Sequence, residues 1–225
     1  MRGQSGKVDV VLPYAWIDGN AVYAGEFVER QVAGFGDPRF RISVNLRGAP
    51  ALPLQQFGTY RQDTIVGFSL QVSTPLGQYD ETKVVNVGTN RWWIKPELGL
   101  SKSIGSWTLE LAGAATIFGD NDDFLGGLTR KQDPVYSVQG GVIYGLQRGS
   151  WLALHGTYYM GGRTTVGGIE RDDLQRNSLV GFTAAFPIDR NNSVKVYAAT
   201  GLSTRIGTDV DTISVAWQHR WGGGL

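Results

Sequence analysis

The feature that most restricts the fold is an alternation of ionic and apolar side chains along extended segments. Between residues 38 and 47, Phe40, Ile42, Val44 and Leu46 share one parity, and Arg39, Arg41, Ser43, Asn45 and Arg47 share the other. A period of two puts the two sets on opposite faces of a strand. Three arginines on one face need water or counter-ions, and four apolar side chains on the other need an apolar surrounding. A soluble sandwich also alternates, but a closed barrel in a bilayer, wet inside and greasy outside, supplies both surroundings at once.

The same rhythm recurs at about 7–16, 38–47, 63–73, 91–101, 106–118, 134–146, 151–160, 176–186, 193–201 and 211–221. Val66, Phe68, Leu70 and Val72 oppose Gly67, Ser69, Gln71 and Ser73; Trp92, Ile94, Leu98 and Leu100 oppose Lys95, Glu97, Gly99 and Ser101. Trp107, Leu109, Leu111 and Ile117 oppose Thr108, Glu110 and Thr116, and Ile213, Val215, Trp217 and Trp221 oppose Thr212, Ser214, Gln218 and Arg220. These segments predict an all-β chain forming a single domain over 1–225, a transmembrane antiparallel up-and-down β-barrel with about ten strands visible.

The connections point the same way. Residues 102–105, 147–150 and 187–192 are short and turn-like, and they alternate with long polar stretches at 74–90, 119–133 and 161–175. Outer-membrane barrels have tight turns on the periplasmic side and longer loops outside, so both chain ends are expected to be periplasmic. The connection at 49–62 is long for a periplasmic turn and reads as a small plug-like or helical excursion. Tyr14, Trp16, Trp92, Trp93, Trp107, Trp151, Tyr158, Tyr159 and Trp221 lie near strand ends. There a ring buries in the interface while its polar atom stays wet, which gives aromatic girdles.

Composition narrows the classes further. With 21 Lys plus Arg against 20 Asp plus Glu, the net charge of +1 gives no electrostatic case for nucleic acid. With no cysteine, disulfides and thiolate metal sites are out of reach. No run of about 18 apolar residues exists, so any crossing must be made by strands. The chain opens MRGQSGKVDV, polar and without a secretory signal, which is expected of a fragment or of a chain whose signal has been removed.

Catalytic signals are weak, and no enzyme activity or cofactor is expected. The sequence has two histidines; His155 shares a face with Thr157 and Tyr159, which suits a polar lumen residue better than a Ser–His–Asp member, and His219 falls among the interface aromatics. No G-x-S-x-G, P-loop or H-E-x-x-H motif occurs. Asp120, Asp122 and Asp123 resemble the opening of a calcium loop but lack its Gly and distant Glu. They are weak candidates for divalent ions, and a solvated extracellular turn is the plainer reading.

The inward charges are the stronger candidates. Arg39, Arg41, Arg47, Lys95, Glu97, Glu110, Lys195 and Arg220 take the polar parity, with Gln71, Gln139 and His155 beside them as lumen-lining candidates. They either set the selectivity of a conducting pore or pair across a narrow lumen and close it. Trp93, Phe118 and Tyr197 share the lumenal parity and are candidates for an aromatic path; plain lumen packing is the alternative. A barrel of ten or twelve strands is only modestly wider than the side-chain-filled eight-strand case, so a narrow route is expected.

The stretches GFGDPRFRISVNLRGAPAL (34–52), LQVSTPLGQYD (70–80), GTNRWWIKPELGLSKSIGSWTLELA (88–112), DNDDFLGG (120–127), TYYMGGRTTVGG (157–168) and VAWQHRWGGGL (215–225) resemble the outer-membrane transporters linked to the phenol meta-degradation pathway. The resemblance covers essentially the whole chain. It implies a bacterial outer-membrane β-barrel that passes aromatic or other hydrophobic compounds, with no catalytic residues to carry over. Implied partners are outer-membrane lipid and lipopolysaccharide, small hydrophobic or aromatic solutes and the barrel-assembly machinery. Members carry further sequence before the GQSGKVDVVLPYAW-like segment, so an N-terminal hairpin missing here would make twelve strands. The aromatic expected at the C-terminus for barrel assembly is offset, because Gly222, Gly223, Gly224 and Leu225 follow Trp221.

The expected function is therefore passive passage of small, hydrophobic or aromatic solutes. The competing readings are a structural or adhesive barrel with a closed lumen, an outer-membrane hydrolase, and a soluble ligand-binding barrel. The outward apolar faces count against the last, because a soluble barrel turns its apolar side inward.

Overall fold

A computed structural model describes residues 3–23, 26–52, 56, 59–206 and 211–221. Sixteen strands are described: β1 (Gly6–Val11), β2 (Tyr14–Tyr23), β3 (Glu26–Phe35), β4 (Arg39–Arg47), β5 (Thr64–Ser73), β6 (Trp93–Ile104), β7 (Trp107–Phe118), β8 (Asn121–Phe124), β9 (Leu128–Gln132), β10 (Val135–Gly145), β11 (Trp151–Gly161), β12 (Thr164–Val166), β13 (Ile169–Glu170), β14 (Gln175–Pro187), β15 (Asn192–Thr204) and β16 (Thr212–His219). Ten of them form the wall, in the order β1-β4-β5-β6-β7-β10-β11-β14-β15-β16, with every neighbouring pair antiparallel. Except for the first segment, each expected wall strand lies within a few residues of an observed one.

The chain passes up and down through these strands, so connections fall alternately at two ends. One end carries the paired ribbon β2–β3, the segment 74–92, and a four-stranded sheet in the order β13-β12-β9-β8. The other carries the turns around 105–106 and 188–191 and a short 3-10 turn at Gln147–Gly149. The long polar stretches at 119–133 and 161–175 thus contain strands of their own, which make a small cap sheet. Its short strands are too brief and too polar to show as periodic segments. The excursion expected at 49–62 lies partly outside the described residues; Gln56 is helical there, and the Tyr60 hydroxyl donates to the Gly48 carbonyl.

The first segment differs from expectation. It breaks at Leu12–Pro13, where β1 leaves the wall, and Tyr14 and Trp16 belong to β2, which pairs with β3 alone. Proline lacks the N–H a ladder needs, so a strand ends there readily. The Pro13 carbonyl instead accepts from Gly36 N at 2.8 Å, which pins the base of the ribbon.

The faces are inverted relative to a soluble protein. Ile42, Leu98, Leu111, Val138, Leu154 and Val215 are each more than half exposed on the outside of the wall. Such a continuous apolar belt would be an association hazard in water and is what acyl chains require. The residues between them face inward: Ser69 and Ser73 are buried, and Arg41, Lys95 and Glu97 are half-buried. Lys7 of β1 and Gln139 of β10 line one cavity of about 530 Å³. Five strand steps separate β1 from β10 in the sheet. On a flat sheet that would be roughly 24 Å, so the wall curls around this space. The fold is a transmembrane up-and-down β-barrel.

Outward aromatics gather at the short-turn end. Trp107 packs on Tyr144 with centroids 4.6 Å apart, and His219 lies between Trp217 and Trp221 at 6.0 Å from each. Trp92, Tyr136 and Tyr158 are exposed toward the long-loop end. Aromatics are therefore present near both ends of the outer face, but five of the expected girdle residues are not among them: Tyr14 and Trp16 lie in the β2–β3 ribbon, and Trp93, Trp151 and Tyr159 take the inward parity, where Trp93 meets Arg39, Trp151 meets Lys195 and the Tyr159 hydroxyl meets Asn177.

Candidate functional site

Register decides which inward side chains meet. Pairing of β4 with β5 and of β5 with β6 sets Arg41, Gln71 and Lys95 in one row and Ser43, Ser69 and Glu97 in the next. Arg41 Nη2 reaches diagonally between the rows, donating to Ser69 Oγ at 3.0 Å and to Glu97 Oε1 at 2.8 Å. Lys95 Nζ approaches the other Glu97 oxygen at 3.6 Å. One carboxylate thus holds two cations, and Glu110 on the same stretch balances the second of them. Glu110, Gln139, Asn45 and Lys7 border the same cavity. Lys7 carries its own partner, Asp9, at 3.2 Å. The ions are part-exposed, so their pairing contributes little stability, of order 1 kcal/mol or less; their weight is in the field they project into the lumen.

A second inward group lies at the long-loop end. Trp93 stands opposite Ser73 on one side and Phe118 on the other, and Ser73 stands opposite Arg39. Ser73 is fully buried, and its small side chain lets the Arg39 guanidinium reach across it to the Trp93 ring, 5.9 Å from the centroid. Arg91 lies 4.5 Å from the centroid of Phe118 and donates to Gln132 Oε1. Arg91 is buried, and desolvation, helped by the nearby charge of Arg130, lowers its pKa to about 10, so it remains a cation at neutral pH.

Above this group the cap is tied down by Asp37. Its carboxylate accepts from Gly77 N at 2.9 Å, Thr89 N at 2.7 Å and Thr89 Oγ1 at 2.7 Å, so a buried acid is fully hydrogen-bonded and joins the base of β3 to both ends of the 74–92 segment. Asn121 adds a second tie, donating to the Tyr79 hydroxyl at 2.9 Å and to the Thr89 carbonyl at 3.2 Å.

A third group sits toward the other end. His155 stacks on Tyr197 with centroids 5.7 Å apart and planes 6° from parallel. The ring lies over Gly181, which stands opposite His155 on β14 and where any side chain would meet His155 and Tyr197. Lys195 Nζ sits 5.7 Å from the Trp151 centroid nearby.

The expected lumen residues are therefore split among sites. Arg41, Gln71, Lys95, Glu97, Glu110 and Gln139 share one stretch of wall, Arg39, Trp93 and Phe118 another, and His155, Tyr197 and Lys195 a third. Arg220 lines a small cavity with Trp151 and Lys195, beside the third group, and Arg47 joins none of these. A bulge at Leu46 sets Arg47 opposite Val66, off the row of Asn45, and Arg47 is exposed. Arg220, just after β16, also donates to the Arg190 carbonyl at 3.1 Å. The aspartates of the cap are held separately: Asp120 pairs with Lys131 at 3.3 Å and Asp122 accepts from Thr129 at 3.1 Å. Among the described residues no three His, Asp or Glu side chains converge as a metal site. Reading the sequence alone missed Lys7, Asp37 and Arg91: Asp37 lies just before the segment at 38–47, Arg91 is the first residue of the segment at 91–101, ahead of its alternation, and Lys7 lies in one that breaks at Pro13.

The fold resembles that of a known protein. A solved outer membrane channel from Pseudomonas putida F1 matches with a TM-score of 0.76 at 20% identity, covering 96% of this chain and 75% of that one. No curated protein matches the sequence. The model of the family described as "Putative MetA-pathway of phenol degradation" matches residues 5–208. That span includes nearly the whole wall, the cap and all three inward groups, and the chain belongs to this family.

Proposed function

We propose that the protein is a passive channel of the bacterial outer membrane for small solutes, hydrophobic or aromatic ones among them. One observation carries the reading: a charged inner face around a cavity of about 530 Å³, enclosed by a wall whose outer face is apolar. The similar protein of Pseudomonas putida F1 is titled an outer membrane channel, and the family description names phenol degradation; both agree with the reading. Lipid contacts the outer belt, lipopolysaccharide surrounds the cap, and the barrel-assembly machinery inserts the chain. Passage is passive, since no phosphate-binding motif is present to couple it to nucleotide.

The test is conductance of the refolded protein in planar bilayers, together with swelling of loaded liposomes in phenol and in sugars of similar size. Discrete current steps and faster entry of phenol are expected. Silent bilayers and impermeant liposomes would remove the channel reading. They would favour a closed structural barrel acting through its cap, a reading that the buried Asp37 network also suits.

A further inference from the structure

Among the described residues, the long-loop end of the inner wall holds two cations without a salt-bridge partner, Arg39 and Arg91; Asp120 and Asp37 act on Arg91 only from beyond ion-pair distance. Asp37, an acid of the same end, has its oxygens taken by Gly77 and Thr89, and Asp120 is paired with Lys131. Buried polar capacity is also left over: Arg91 Nη1 and Ser73 Oγ have no hydrogen-bond partner, and both residues are more than nine-tenths buried. Between the cations stand two aromatic rings side by side, Trp93 and Phe118, paired across β6 and β7. Arg39 is exposed at the edge of this patch, over Trp93.

This combination has a chemical complement. An exposed guanidinium presents a fork of donors that a carboxylate accepts bidentately. Aromatic faces take a flat ring by stacking or edge contact. A second cation behind one of those rings, removed from water, is poorly screened by salt and adds to the positive potential. A neutral phenol would use the rings and waste the charge. A small aliphatic acid would use the charge and leave the rings wet.

The geometry points to a binding site for aromatic carboxylates at the cap end of the lumen, in which Arg39 takes the carboxylate, Trp93 and Phe118 take the ring, and Arg91 supplies positive potential from behind Phe118. The inference rests on the channel reading for its role in transport, since it names the solute class that such a channel would select. Its binding chemistry is independent of whether the barrel conducts.

Two measurements on the refolded barrel separate these questions. Calorimetric titration in detergent with benzoate, phenol and acetate tests the site. Bilayer conductance tests the channel. Benzoate is expected to bind at least about ten-fold more tightly than either phenol or acetate, and Arg39→Gln to remove about ten-fold of that affinity, as loss of a charge-assisted pair does. Arg39→Lys, which keeps the charge and loses the fork, is expected to fall between them. Benzoate binding no tighter than acetate or phenol, or equal in wild type and Arg39→Gln, overturns the site even if current steps are seen. If Arg39→Gln does not refold, the three-ligand comparison in wild type decides alone. Silent bilayers with selective benzoate binding would remove the channel and leave the site.

Discussion

At the residue scale, several small side chains are set by what crosses over them. Gly181 leaves room for His155 to lie across β14 and stack on Tyr197, and Ser73 does the same for Arg39 and Trp93. Gly161 is constrained by the backbone itself. It ends β11 with φ of 113°, and a methyl group there would press on the Pro134 carbonyl oxygen. Gly161→Ala is therefore expected to destabilise the folded barrel by about 2 kcal/mol or more, combining backbone strain with overpacking. A lower urea midpoint for unfolding from lipid vesicles checks it; an unchanged midpoint would show that the junction relaxes freely. The glycines of TYYMGG carry no such information in the sequence, because the carbonyl that Gly161 must clear belongs to Pro134, distant along the chain.

At the element scale, the cap depends on one acid. Asp37 gathers three donors from the 74–92 segment, and removing its carboxylate leaves them unpaired in a buried place. Each such loss costs about 1–3 kcal/mol. Asp37→Ala is expected to loosen the cap while leaving the wall strands paired, so that trypsin cleaves after Lys83 or Arg91 in protein whose barrel remains folded on an unheated gel. Resistance to trypsin equal to that of wild type would show that the Asn121 contacts suffice. The cap strands were not legible in advance. The two residues of β13 and the three of β12 are too few to show a period, and the pairing of β12 with β9 joins segments distant in sequence. The β2–β3 ribbon was hidden for a different reason: Tyr14 and Trp16 continue the alternation of β1, and only Pro13 marks the break.

At the scale of the whole molecule, the outward apolar belt and the inward ions imply a bilayer, and position within the wall should govern what a mutation costs. Leu98, midway along β6 and facing outward, is expected to cost about 2–4 kcal/mol when replaced by Arg, the penalty for a cation near the middle of the membrane. Gly99→Ser, on the inward parity of the same strand, is expected to cost much less. Equilibrium folding into lipid vesicles across a urea series checks the pair; equal costs would mean that the two faces meet the same surroundings. The alternation of each segment was sufficient, from the sequence by itself, to determine the wall strands after the first, their two faces and their up-and-down order, because a period of two and the length of the connections are local properties. The grouping of charges was decided only by the tertiary structure. Arg41 meets Glu97 and Arg39 meets Trp93 through the register of three strands, a single bulge takes Arg47 out of its row, and the buried Arg91 comes to rest on Phe118 through a strand that begins after it. Register and curvature are set by all the strands together, and no segment carries them alone.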